Sequence, residues 1–249
     1  MMRSANPSLT QGTFSSMRQY ASAGNVMTIG GTVVKTLILL LCVLVTAGFT
    51  WNLYFQTGNA QSVTPWLFLG VFGGLISAVV TIYKKEWAGI TAPIYALFQG
   101  LFIGGISSIF EAQYPGLVFQ AVSLTFGTLA VMLFAYESGL IKATEKFKLG
   151  VVAATGAVAL VYFVSIIFSF FGVNFGFIYG SGIAGIGFSL IVVGIAALNL
   201  ILDFDVIEKG AAAGAPKFME WYGAFALMVT LIWLYIEMLR LLSKLRSSR

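Results

Sequence analysis

Histidine is absent from the 249 residues, and cysteine occurs once. Without histidine there is no His-ligated metal, no Ser-His or Cys-His nucleophile and no imidazole switch. A pH response near neutrality would have to come from carboxylates, or from a perturbed tyrosine or lysine. Cys42 has no partner for an internal disulfide and lies inside an apolar run, where its expected role is packing. Charge is scarce as well: 9% of residues are charged and 59% hydrophobic, with a mean hydropathy of +0.93. A soluble domain carries about 25% charge. Too little polar surface exists here to cover a water-soluble globule, so a lipid bilayer must be the solvent. The net charge of +5 is scattered over loop ends, with no basic block and no aromatic stacking platform, which argues against nucleic acid as a partner.

Residues 1–27 are mostly small and polar, with Arg3 and Arg18. They do not lead directly into a short apolar core with a cleavage site, so they do not read as a signal peptide. A flexible polar tail is expected, with a short interfacial piece over 14–20. Residues 28–249 then form one membrane domain, because no stretch outside the apolar runs could fold a core of its own. Seven runs are present, roughly 33–55, 65–83, 87–110, 117–136, 149–171, 178–202 and 221–242. Each approximates the ~20 residues needed to span a bilayer as a helix. Trp51, Tyr54, Trp66, Tyr83, Trp87, Tyr114, Tyr136, Trp221 and Tyr222 stand at or near their ends, as interfacial aromatics do. The polar and apolar alternation of a membrane barrel is missing, so the fold expected is an all-α bundle of seven transmembrane helices.

Lysine and arginine fall on alternate connections: Arg3, Arg18, Lys84, Lys85, Lys142, Lys146, Lys148, Lys209 and Lys217 before span one and after spans two, four and six. The connections after spans one, three and five have none, which puts the N-terminus in the cytoplasm. Lys244, Arg246 and Arg249 would then lie outside. Either the tail tolerates this or the last run re-enters; the length of 221–242 favours a true crossing. Lys35, near the start of span one, is expected to snorkel to the surface. Gly70 with Gly74, and Gly100 with Gly104, are spaced for close helix approach.

The polar residues inside spans are the candidates for function, since a carboxylate in lipid must face protein or water. Asp203 and Asn199 sit at or inside the end of the sixth run. If that helix continues, the two share a face one turn apart. Asp205 is turned by about 200° from Asp203 and belongs to the water interface; if the helix ends at Leu202, both acids are loop charges. The last span carries Thr230, Glu237 and Lys244 at heptad spacing on one face, and Arg240 lies three residues beyond Glu237, in reach of an ion pair. Asp203 and Glu237, near opposite surfaces, are expected to be too far apart to share a proton. Other motifs fail. Gly180-Ser-Gly182-Ile-Ala-Gly185 matches a dinucleotide fingerprint but opens a membrane helix instead of following a strand. Neither aspartate follows the Gly-x-Gly of two-aspartate membrane proteases. No nucleophile–base pair or metal cluster supports an enzyme, and no cofactor is implied.

Asn199-Leu-Ile-Leu-Asp203-Phe-Asp205, then Glu220-Trp-Tyr-Gly-Ala-Phe, then Trp233-Leu-Tyr-Ile-Glu237-Met-Leu-Arg240 together resemble the Bax inhibitor-1 family. The likeness extends over all seven spans, and with Arg3-Ser-Ala-Asn6-Pro7 it is nearest to the bacterial YccA-like branch. The resemblance implies a last helix wrapped by the other six, in a bacterial plasma membrane. It also implies a pH-sensitive calcium or cation leak, or else a non-conducting modulator of membrane proteolysis or of stress and cell-death responses. The latter would act on a membrane protease or another membrane protein, with the tail as its handle. In the leak, two aspartates of the last two spans share a proton and an arginine latches the pore. Asp203 matches the first aspartate. Thr230 stands at or near the second, and Gly73 and Gly74 stand near an acid usual in the second span. Lys84 or Lys85 stands where the arginine would be. The expected gate is therefore Asp203 with Lys84 or Lys85, and Glu220, at the inner face, opened when protonation breaks the lysine contact.

Overall fold

The computed structural model describes residues 25–172 and 175–248. Seven long helices account for most of them: α1 (Ile29–Thr57), α2 (Ala60–Tyr83), α3 (Ala88–Gln113), α4 (Leu117–Glu137), α5 (Glu145–Phe170), α6 (Ile183–Ala212) and α7 (Met219–Ser247). All seven are long and apolar enough to cross a membrane. Their ends follow local chemistry. Thr28 accepts the Gly31 amide at 3.0 Å to begin α1. Gly58, at φ 62°, closes α1, and the Asn59 side chain caps α2, so a hairpin turns within two residues. Thr144 caps α5 by accepting the Phe147 amide at 3.3 Å. A turn of 3-10 helix, Lys85–Trp87, joins α2 to α3. A single helical turn, Gly176–Tyr179, precedes α6.

The helices are longer than the apolar runs. The sixth is the main departure: it runs on to Ala212 instead of ending at Leu202. The last is one unbroken helix of 29 residues, roughly 43 Å, enough to cross outright.

α7 is the most buried of the seven, whereas α1, α4 and α5 leave most of their apolar residues facing outward to lipid. α7 packs along α1, α3, α4 and α6; α2 lies on α1 and α3, and α5 lies on α6. One core layer joins Leu117 and Ala121 of α4, Leu200 and Ile201 of α6, and Leu234 and Leu239 of α7. A second joins Leu39 and Val43 of α1, Ala92 and Ala96 of α3, and Met228 of α7.

Small residues set the closest approach. A Cβ on Gly100 would overlap the Thr46 hydroxyl and the Val43 carbonyl, and one on Gly104 would overlap the Ala47 carbonyl. The two glycines therefore serve the contact of α3 with α1. In that contact the Thr46 hydroxyl donates to the Leu97 carbonyl at 2.8 Å. Gly100→Val should destabilise the protein by ~1–3 kcal/mol, seen as a lower melting temperature in detergent. Gly127→Val, where a Cβ meets open space, should cost far less. Equal losses would mean that helix propensity, and not the contact, sets the effect.

Candidate functional site

The continuation of α6 decides where its acids lie. Asp203 is nine residues from Ala212, hence ~14 Å inside the helix end. Thr230 is eleven residues into α7, or ~16 Å. The two depths match, and the Thr230 side chain lies beside the Asp203 carboxylate. One carboxylate oxygen, Oδ2, is buried and has no hydrogen-bond partner among the described residues. Thr230, placed by resemblance at the second aspartate's position, thus stands against Asp203.

The lysines expected beside Asp203 are elsewhere. Lys84 and Lys85 are exposed in the turn after α2. Neither forms an ion pair with Asp203, and Lys85 lies 5.1 Å from the centroid of the Tyr222 ring. The reason is geometric: α6 carries Asp203 deep into the bundle while the lysines stay at its surface. Asn199 also turns from Asp203. Its amide donates to the Thr155 hydroxyl and to the Ile195 carbonyl, each at 2.8 Å, tying α6 to α5.

Asp205, expected at the water interface or in a loop, is instead buried within α6. Lys148 of α5 reaches it at 2.8 Å and Lys209 at 2.9 Å. Nearby, the Tyr136 hydroxyl donates to Glu208. Glu220, in the first turn of α7, is fully buried. Lys35 meets it at 2.6 Å and Lys217 at 2.9 Å, and the amide and hydroxyl of Thr28 both donate to its Oε1 at 2.9 Å. Lys35 therefore pairs inward instead of snorkelling. Gly31 is needed beneath it, because a Cβ there would overlap the Glu220 carboxylate.

The same cluster holds the chain ahead of α1. Val26 and Pro216 form an isolated bridge; the Met27 amide donates to the Ala215 carbonyl at 2.7 Å, and the Lys217 amide to the Asn25 carbonyl at 3.1 Å. Residues 25–27, expected within the flexible tail, are thus fixed. The remainder of the tail, with the piece over 14–20, lies outside the described residues.

Toward the other end of α7, Glu237 is buried and pairs with Arg240 at 3.1 Å. The Tyr162 hydroxyl of α5 donates to both carboxylate oxygens at 3.1 Å, and the Arg240 guanidinium lies 5.2 Å from the centroid of the Tyr162 ring. Lys244 is also buried. It donates to the Ile178 and Gly185 carbonyls and to the Ser189 hydroxyl, at 2.5, 3.0 and 2.7 Å. The heptad line marked Lys244, but not its partners. Tyr162 carried a signal that sequence reading passed over, a hydroxyl in the middle of an apolar run. Lys148 and Lys35 carried none, since lysines near span ends commonly face water.

Among the described residues no three His, Cys, Asp or Glu side chains gather as a metal site. What the site offers is one buried carboxylate oxygen between the last two spans, free to take a proton, a water or a cation.

Removing one partner of a buried pair costs ~3–5 kcal/mol, whereas replacing both by apolar groups is often neutral. Glu220→Ala should therefore lower thermal stability strongly in detergent, and Glu220→Ala with Lys35→Met should recover much of the loss. A double variant no better than the single one would remove the pair from the account.

No curated protein and no solved structure matches the chain. A family model described as Bax inhibitor 1 like matches residues 6–247. With nearly the whole length covered, and seven membrane-crossing helices beneath it, the chain belongs to the Bax inhibitor 1-like family.

Proposed function

We propose that this protein is a cation leak of the bacterial plasma membrane, calcium among the ions carried, closed by the contact of Asp203 with Thr230 and controlled by a proton. The lysine-rich face is cytoplasmic in this reading. One observation supports it: Asp203 presents a buried, unpartnered oxygen where the two last helices meet. An ionised oxygen without donors in a dry site is costly. Ionisation of Asp203 and the arrival of water or a cation at Oδ2 are then one linked event. The neutral acid suits the packed helices; the charged one suits a state in which α6 and α7 part. Because Lys84 and Lys85 do not pair with Asp203, this reverses the sign expected from the sequence. Loss of the proton opens the leak, and flux rises with pH.

Calcium flux into liposomes holding the purified protein tests this. Asp203→Asn keeps the shape but never ionises. It should hold flux near the level of protein-free liposomes at every pH, while the native protein leaks more as pH rises. Unchanged flux and an unchanged pH response in the variant would reject Asp203 as the gate.

A second reading, a modulator acting through a protein partner, is favoured by the clasp at residues 25–28. The tail is tied to Glu220 at the start of α7, so a partner drawing on the tail would act on the last helix. Deleting residues 1–24 should abolish co-purification of a membrane protease or other membrane partner. Partners that stay bound would end the idea that the tail is the handle.

A further inference from the structure

A second candidate site lies on the lysine-rich face, apart from Asp203. Between the α2–α3 turn and the α6–α7 loop is a cleft of ≈ 890 Å³, whose lining includes Lys84, Lys85 and Lys217 with Asn25, Tyr83 and Phe218. The acid among its lining residues is Glu86. We propose that this cleft holds the headgroup of an anionic phospholipid drawn from the surrounding bilayer.

The charges are available. Among the described residues Lys84 and Lys85 have no carboxylate partner; Lys217 touches Glu220 at 2.9 Å, but Lys35 meets the same acid at 2.6 Å. One carboxylate faces two ammonium groups, so Lys217 retains charge to offer to an anion. The unit is positive even after Glu86 is counted.

The other occupant within reach is the chain's own tail. Residues 1–24 contain Arg3 and Arg18 and no acid. Their charge does not complement three lysines, and an anion does. A lipid fits in a further respect. Tyr83 is 81% exposed at one edge of the cleft, and Trp87 and Ile90 follow at 59% and 70%. Exposed aromatic and apolar side chains at the end of a span are of the kind that sit at the headgroup level and meet acyl chains. A phosphate seated among the lysines would leave its chains against those side chains. Basic pockets at a membrane surface attract anionic headgroups by the same electrostatics. This proposal does not depend on the leak: it stands or falls with lipid binding alone.

The test is a titration of the full-length protein in neutral detergent with phosphatidylglycerol or phosphatidylcholine, read by native mass spectrometry. Phosphatidylglycerol should bind at least about tenfold tighter, and Lys84→Gln with Lys85→Gln should remove most of that preference. Lys142→Gln with Lys146→Gln takes the same charge from another connection of the same face and should leave the preference intact. Both pairs are exposed, so neither variant disturbs the core. Three results would overturn the proposal. Equal binding of the two lipids would remove the selectivity. An equal loss in both variants would reduce it to the general charge of that face. Displacement of the lipid by millimolar inorganic phosphate would make it a site for free anions.

Discussion

Lipid supplies no hydrogen bonds, so each polar group that the last helix carries must be answered by another part of the chain. Four polar groups of α7 are answered along its length, each from a different place. Glu220 is met by Thr28 and Lys35 at the start of α1. Tyr235 is met by Ser107 of α3 at 2.7 Å, and Glu237 by Tyr162 of α5. Lys244 reaches the turn at Ile178 and the first turns of α6. Apolar packing alone leaves a helix free to slide or turn among similar neighbours. Four directional contacts at four depths remove that freedom. The one from Tyr162 has a further consequence, because α5 packs mainly on α6 and this hydroxyl ties it to the last helix.

Against that background Asp203 is the exception. Asp205 has two lysines, Glu220 has two lysines and a threonine, and Glu237 has an arginine and a tyrosine. All three acids are answered on both oxygens or by more than one cation. Asp203 has no cation beside it among the described residues: its buried Oδ2 lacks a hydrogen-bond partner, and its polar neighbour is the Thr230 side chain. That oxygen is left unsatisfied at the meeting of two spans, and polar groups buried in membranes commonly handle protons, ions or water. It is this contrast between neighbouring acids on the same helices, more than the presence of an aspartate, that singles the position out.

The composition carried the architecture because it rests on solvent. With so few charges, apolar runs of spanning length can only be helices in lipid, and their number follows from counting. The ends were less legible. The apolar run of the sixth span stops near Leu202, so the acids after it look like the water interface. The helix continues because Asp205, Glu208 and Lys209 are satisfied by Lys148, by Tyr136 and by one another, and those partners come from other spans. That one difference moved Asp203 inward, took it out of reach of Lys84 and Lys85, and put it opposite Thr230. The pair of Glu237 with Arg240 could be read from a spacing of three residues on one helix. The pair of Glu220 with Lys35 joins opposite ends of the chain, and no local pattern announces it.

The same distances limit how the halves of the molecule can act on each other. Glu220 and Thr230 are ten residues apart on one continuous helix, ~15 Å, and Lys244 lies beyond them on the same rod. A helix does not stretch, so a parting of α6 from α7 at Thr230 must be taken up by tilting or turning α7. Its two ends resist differently. Lys244 is held by the Gly185 carbonyl and the Ser189 hydroxyl of α6, and by the Ile178 carbonyl of the turn before it, so that end moves with α6. Glu220 is held by α1 and by the loop before α7, which do not belong to α6. In the leak proposed above, opening at Asp203 would therefore hinge near Lys244 and swing the Glu220 end, where Lys35, Lys217 and residues 25–28 gather.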